Sequence, residues 1–390
     1  MRSTNATITI LALTIITPAM GATLHVPADY GTIQACIDAA VGGVDECVVA
    51  PGTYPEAINF NGKAITVRSS DGQAATTIDA TGLNNSVVKC ISGEGADTVL
   101  DGFTITGGTG ALVDDVFQFM GGGGMCNVSS SPTVTNCSFS RNSVNNVYGG
   151  FGGGIYKNAS SPAVTHCTFS ENLAGAGGGM YDESSNPTVT HCTFSENSAD
   201  GGGGMYNNTS NPTVADCTFR ANSASVGGGM YDESSNPAVT HCTFSENSAD
   251  GAGGMYNIDS SPTLTHCTFS QNLAGDGGGM SNIGSSPTLT DCTFRANAAS
   301  DGGGITNFDS SPTLTSCTFS GNSASDGGGI ANFDSSPTLT NCTFSVNSAS
   351  NGGGMYNVSA SRPTLTNCTL ERTQQSQAAV ECTTRAATPR

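Results

Sequence analysis

The sequence predicts an all-β fold, a single-stranded parallel β-helix with about 25 residues and three strands per coil. Three observations lead there. One unit is written ten times from Gly122 onward; each unit alternates large apolar residues with Ser, Thr or Tyr over three short stretches; Gly, Ser-Pro and Asn punctuate the stretches. The apolar residue after the glycines falls at Met125, Ile155, Met180, Met205, Met230, Met255, Met280, Ile305, Ile330 and Met355, so after one 30-residue step every spacing is 25. A lone unit cannot bury its apolar side. Stacking units about 4.8 Å apart pairs each strand with its equivalent in the next coil and turns the core into columns.

Taken in order, the chain divides into four parts. Arg2, an apolar run over residues 8–16, the helix-breaking Pro18 and the small residues around Gly21 and Ala22 read as a secretory signal peptide, residues 1–22. That run is too short to cross a bilayer and no later one approaches about 18 apolar residues, so no transmembrane segment is predicted in the mature chain.

Residues 23–121 depart from the 25-residue rule and supply a cap with irregular coils. A short helical pattern over residues 35–40 follows Val26-Pro27-Ala28-Asp29-Tyr30-Gly31-Thr32-Ile33-Gln34 and precedes Pro51-Gly52-Thr53-Tyr54. An open solenoid end exposes core and strand edges, so a cap is physically required. This opening resembles the pectin-lyase-like superfamily, which implies a right-handed parallel β-helix plugged at its N-terminal end by a short helix. It implies no particular reaction, because that architecture hosts lyases, hydrolases, esterases and noncatalytic binders. Residues 111–120, with Asp114, Asp115, Phe117 and Phe119, interrupt the pattern as either a projecting loop or a wall insertion.

Residues 122–370 are the regular repeat. Alternation points Met280, Leu289, Cys292 and Phe294 inward and Thr288, Thr290 and Thr293 outward. Asn297 and its equivalents close the third strand, where Asn suits a left-handed backbone and an amide ladder. Gly-Gly-Gly-Met or Ile followed by Phe-x-x-Asn is similar to the polymorphic outer membrane protein repeat, with Gly in place of that family's Ala. The resemblance implies a β-helix displayed on a bacterial surface, often for adhesion, although this sequence shows no C-terminal translocating barrel. Over residues 371–390 the rule decays into a tail.

The formal charge of -19, with 12 Lys plus Arg, opposes a long nucleic acid or other polyanion as partner and leaves cations and neutral sugars as easier ones. Ten cysteines, from Cys137 to Cys368, form an inward column read as buried thiols, with bridges between coils as the alternative. Cys36 with Cys47 is the disulfide to test first. His166, His191, His241 and His266 precede four of those cysteines and therefore lie at a corner or outside, so no metal site is assigned to them. Asp276, Asp301 and Asp326 stack on consecutive coils, as do Asp309 and Asp334; Ca²⁺ would relieve their repulsion, whereas solvated turns need no ion.

Tyr156, Tyr181, Tyr206, Tyr231 and Tyr256 follow the inward aliphatic residue and should face outward as a strip. With Asp182, Glu183, Asp232 and Glu233 beside them, five rings can stack on sugars and hydrogen-bond their hydroxyls; the alternative is a ladder that stabilises the sheet. Lyase chemistry wants clustered carboxylates with a basic residue, and hydrolase chemistry a converging carboxyl pair. The acids here recur with the repeat, so no catalytic residue is assigned. The reading is a secreted or bacterial cell-surface protein, outer-membrane association included, that binds a polysaccharide or cell-surface glycan without catalysis. The alternatives are a polysaccharide-degrading enzyme and a purely structural surface protein.

Overall fold

The computed structural model describes residues 21–114, 119–144, 149–371, 374–375 and 382–385. Residues 1–20 of the predicted signal peptide, Asp115 and Phe117, and most of the predicted tail lie outside the described residues. The rest is the predicted solenoid. Among the described residues, three long sheets of 14, 13 and 13 strands run its length. Every described strand pairs in parallel except for one hairpin, Ala111–Asp114 with Phe119–Gly121.

The coil that starts at Met205 shows the plan. Met205–Asn208, Thr213–Ala215 and Thr218–Arg220 are the three predicted strands, one in each long sheet. Met205, Val214, Cys217 and Phe219 point inward with no more than 1% of their surface exposed. Each stacks on its equivalent in the next coil, and the rings of Phe219 and Phe244 lie 4.7 Å apart and 4° from parallel, an offset stack set by the coil rise.

A fourth short strand, Ser223–Val226, lies between the third sheet and the next glycines. Its equivalents form a five-stranded sheet from Ser143–Val144 to Ser248–Ala249, and Ser323–Asp326 starts another of three strands. The stretch has the look of punctuation in the sequence because, apart from Val226, its residues are small.

Corners are made by single left-handed residues: Thr209 (φ 51°), Asp216 (φ 55°), Ala221 (φ 54°) and Gly227 (φ 63°). The first three are each followed by a buried polar or thiol side chain, Ser210, Cys217 and Asn222. Asn222 is thus not the left-handed residue, as Asn297 and its equivalents were expected to be; the residue before it is. The expected amide ladder is present. Asn222 Nδ2 donates to Phe194 O and Asn247 Oδ1 at 2.9 and 3.0 Å, and Asn222 Oδ1 accepts from Asn197 N and Nδ2. Ser210 N donates to Ser235 Oγ at 2.9 Å, which makes a second ladder at the next corner. Backbone groups that the bends take out of the sheets are satisfied in this way.

All three glycines before Met205 are needed. Gly202 has φ 62°, a Cβ on Gly203 would lie 2.5 Å from Gly228 O, and one on Gly204 would lie 2.5 Å from Gly229 O and 2.8 Å from the Phe219 ring. The third position is the one where the polymorphic outer membrane protein repeat has Ala. The Phe column leaves no room for it.

The helix Ile33–Ala39 plugs the N-terminal end, two residues ahead of the predicted pattern. Thr32 caps it, and the Glu56 carboxylate accepts from Ile33 N and Gln34 N where the helix dipole favours a negative charge. At its other end Lys63 Nζ donates to the Ile37, Asp38 and Ala40 carbonyls. Cys36 and Cys47 are joined as a disulfide with Cα atoms 6.1 Å apart, which ties the helix to the strand Glu46–Val49.

Candidate functional site

The tyrosine strip lies on the outer face of the sheet that carries the Met column, beside the short fourth strands. Along Met205–Asn208 the order is Met205 inward, Tyr206 outward, Asn207 inward, Asn208 outward. The five tyrosines face away from the core as expected, but they are not equally open. Tyr156 and Tyr181 are only 3% and 5% exposed. The hairpin, which contains the described part of residues 111–120, covers them: Phe119–Gly121 pairs with Gly150–Phe151, and Ala111, Phe151 and Ala176 pack on Tyr156, Tyr181 and Cys126. This stretch is a wall contact. Ring stacking on a ligand at Tyr156 or Tyr181 is therefore blocked.

Tyr206, Tyr231 and Tyr256 are half-buried and lie beyond the hairpin. Tyr181 and Tyr206 stack nearly parallel, with centroids 5.0 Å apart; Tyr206 to Tyr231 and Tyr231 to Tyr256 turn edge-on, at 78° and 69°. The small fourth-strand residues allow this. A Cβ on Gly201 would lie 3.1 Å from both the Tyr206 and Tyr231 rings. The hydroxyls are tethered one coil ahead: Tyr156 Oη donates to Glu183 Oε2 at 3.0 Å, and Tyr206 Oη is paired with Glu233 Oε2. Burial pushes the phenols upward, Tyr231 to about 12, so they stay protonated and able to donate.

Asp182 and Asp232 are not beside the rings as the sequence reading had them. Two positions after Met, they point inward with no exposed surface, in a column with Asn127, Lys157, Asn207, Asn257, Asn282, Asn307, Asn332 and Asn357. Strict alternation demanded this, and only Glu183 and Glu233 share the tyrosine face.

The strip continues in a different chemistry. In the fourth-strand position of Gly201, Val226 and Gly251, the next three coils carry Asp276, Asp301 and Asp326, bridged in parallel and half-buried. Burial, and then its two acidic neighbours, push Asp301 up to about 6. Beside them Ser281, Thr306 and Ala331 replace tyrosine. One face thus has an aromatic half and an acidic half. Asp309 and Asp334 sit apart, at exposed left-handed corners (φ 48° and 50°).

The histidines occupy exposed left-handed corners, His166 stacked on His191 at 4.8 Å and His241 on His266 at 5.0 Å. Among the described residues no group of three or more metal-type side chains converges. The cysteine column is held as thiols, with Cys217 Sγ donating to Ala215 O at 3.2 Å and accepting from Cys192 N at 3.4 Å. Among the described residues no helix is long and apolar enough to cross a membrane.

A family model described as right handed beta helix region matches residues 56–231, 143–286, 224–344 and 252–388. Among curated proteins none matches. Among solved structures, the mannuronan C-5 epimerase AlgE6 A-module of Azotobacter vinelandii is 11% identical, with 92% of this chain and 95% of that one covered and a TM-score of 0.50. The Streptococcus pneumoniae surface protein and adhesin PfbA is 12% identical over 90% of this chain and 98% of that one, with a TM-score of 0.39. The tailspike protein gp49 of Acinetobacter baumannii bacteriophage Fri1, a capsular polysaccharide depolymerase, is 11% identical over 89% and 63%, with a TM-score of 0.40. At such identities the likeness is one of fold. With its sheets, corners and side-chain ladders repeated coil after coil, the chain belongs to the right-handed β-helix family.

Proposed function

We propose that this is a secreted or surface-displayed protein that binds a polysaccharide along the face running from Tyr206 to Asp326, without transforming it. The observation that carries the reading is the half-buried trio Tyr206, Tyr231 and Tyr256, stepped by one coil and set in two ring orientations. Ring faces cover the apolar faces of sugars, and Asn208, Glu233 and the carboxylates of Asp276, Asp301 and Asp326 take sugar hydroxyls. The -19 charge favours a neutral or basic glycan. The apolar run over residues 8–16 and the resemblance to the polymorphic outer membrane protein repeat support export and display. No cofactor is assigned; Ca²⁺ at the acidic half is the alternative, which an array run with and without the ion tests.

One observation favours a second reading. Asp301, raised to about 6 between two other carboxyls, has the character of a general acid beside a carboxylate partner. A glycan array probed with the purified chain, with and without Ca²⁺ and with product analysis of each hit, separates the two. Retention without product supports binding; product that is lost in Asp301→Asn supports a polysaccharide-degrading enzyme. Silence throughout contradicts both and leaves a structural surface protein.

A further inference from the structure

The column two residues after Met contains one feature that glycan binding does not use. At every other position from Asn127 to Asn357 it holds Asn or Asp, but at one it holds Lys157, the only lysine among the described residues that is fully buried. Strands Ile155–Asn158 and Met180–Glu183 pair in register, Lys157 opposite Asp182. Both side chains have 0% exposure and Lys157 Nζ lies 2.6 Å from Asp182 Oδ1. The carboxyl carbon is bonded to that oxygen, so the amine already touches the group that it would attack.

We propose that Lys157 and Asp182 condense into an intramolecular amide that joins two consecutive coils.

The neighbours fix the protonation state this needs. Asp182 Oδ2 has no hydrogen-bond partner, and neither has Oδ1 of Asn207, its partner in the next coil. Two bare oxygens at coil spacing repel, and a proton on Oδ2 resolves both by donating to Asn207 Oδ1. With both side chains fully buried, the nearest source of that proton is the Lys157 ammonium, which leaves a free amine beside a carboxylic acid. Burial acts in the same direction on each, lowering Lys157 and raising Asp182. An ammonium facing a carboxylate is inert, but an amine facing a carboxylic acid holds the reactants of amide formation.

The step balances without an oxidant or co-reactant. The Nζ lone pair forms the Nζ–Cγ bond, the Cγ–Oδ2 bond breaks, and the hydroxyl leaves with one Nζ proton as water. The product removes the need to bury two charges, and fixed geometry in place of collision favours its formation. Its single N–H can donate to Asn127 Oδ1, which has no donor before linkage, or to Asn207 Oδ1, which loses its donor when the acid hydroxyl leaves. The link would staple the coils beneath the hairpin, where the irregular coils give way to the regular repeat.

Mass spectrometry of the full chain, unfolded, reduced and alkylated, tests this. Between Arg141 and Arg220 the only trypsin site is Lys157. The linked chain therefore yields residues 142–220 as one peptide, lighter than its sequence by one water, and cleavage at Glu171 leaves its halves attached. Lys157→Met and Asp182→Ala should each restore the full mass. Should wild-type protein give residues 142–157 and 158–220 as separate peptides of full mass, the proposal is overturned. The wild-type measurement decides the matter whether or not either variant folds.

Discussion

Asn207 Nδ2 donates to Asp232 Oδ1 at 2.7 Å, yet on its other side Asp232 meets only oxygen: its Oδ2 and the Asn257 Oδ1 that follows both lack partners. From Asn257 to Asn332 each amide in the column donates to the next, at 2.8 to 2.9 Å. A carboxylate cannot pass that ladder on; a carboxylic acid can. Burial accordingly pushes Asp232 up to about 7.

A pH-dependent stability follows. An aspartate raised from about 3.9 in the unfolded chain gives its full contribution below that value and loses it as pH rises through the folded one, about 4 kcal/mol for about three units. Asp232→Asn, which supplies the missing amide donor, should unfold at higher denaturant than wild type at pH 8 and equally with it at pH 4. Melts of both proteins across that range check this; a difference that does not change with pH contradicts it.

Asn222→Ala should destabilise by about 3–5 kcal/mol, since it strands Asn197 N and Phe194 O in the core. Asn211→Ala, at an exposed position on the neighbouring corner, is the control and should cost less than about 1 kcal/mol. Chemical unfolding of the two variants measures the contrast, and equal losses would show that the amide ladder contributes little.

Gly204→Ala adds one methyl against Gly229 O and the Phe219 ring. A loss near the upper end of ~1–3 kcal/mol is expected. If the variant is as stable as wild type, the coils have more room than these contacts allow.

The thiols of Cys137 through Cys342 are buried and unbridged, so a thiol reagent should leave them unmodified in native protein and label them once it unfolds. Fewer labels on the unfolded, unreduced chain than free cysteines would reveal bridges between coils.

Much of this molecule was legible in the sequence because a repeat states its own geometry. The period of 25 placed Met280, Leu289, Cys292 and Phe294 in columns, and the structure buries all four completely. What escaped had little apolar signal. The fourth strand Ser223–Val226 has one large apolar residue, Val226, where the neighbouring coils carry Gly201 and Gly251, so it reads as a turn although its equivalents form a sheet. Asp182 and Asp232 were misplaced because charge suggested the surface, whereas alternation along the strand, applied two residues past Met180 and Met230, puts them inside. For the tyrosines direction was readable and cover was not. The hairpin that buries Tyr156 and Tyr181 comes from the one segment that breaks the period. The Tyr206–Glu233 pair spans 27 residues, one coil plus one same-face step, a spacing that the repeat itself could have disclosed.

Affinity electrophoresis on polysaccharide gels with Tyr231→Ala combined with Tyr256→Ala, beside wild type and Tyr156→Phe, tests the binding face most directly. The double variant should lose at least about tenfold in affinity, as removal of two stacking rings implies, while its melting stays close to wild type and Tyr156→Phe binds normally. Undiminished retention by a folded double variant would contradict the account and move binding, if any, away from the tyrosine face.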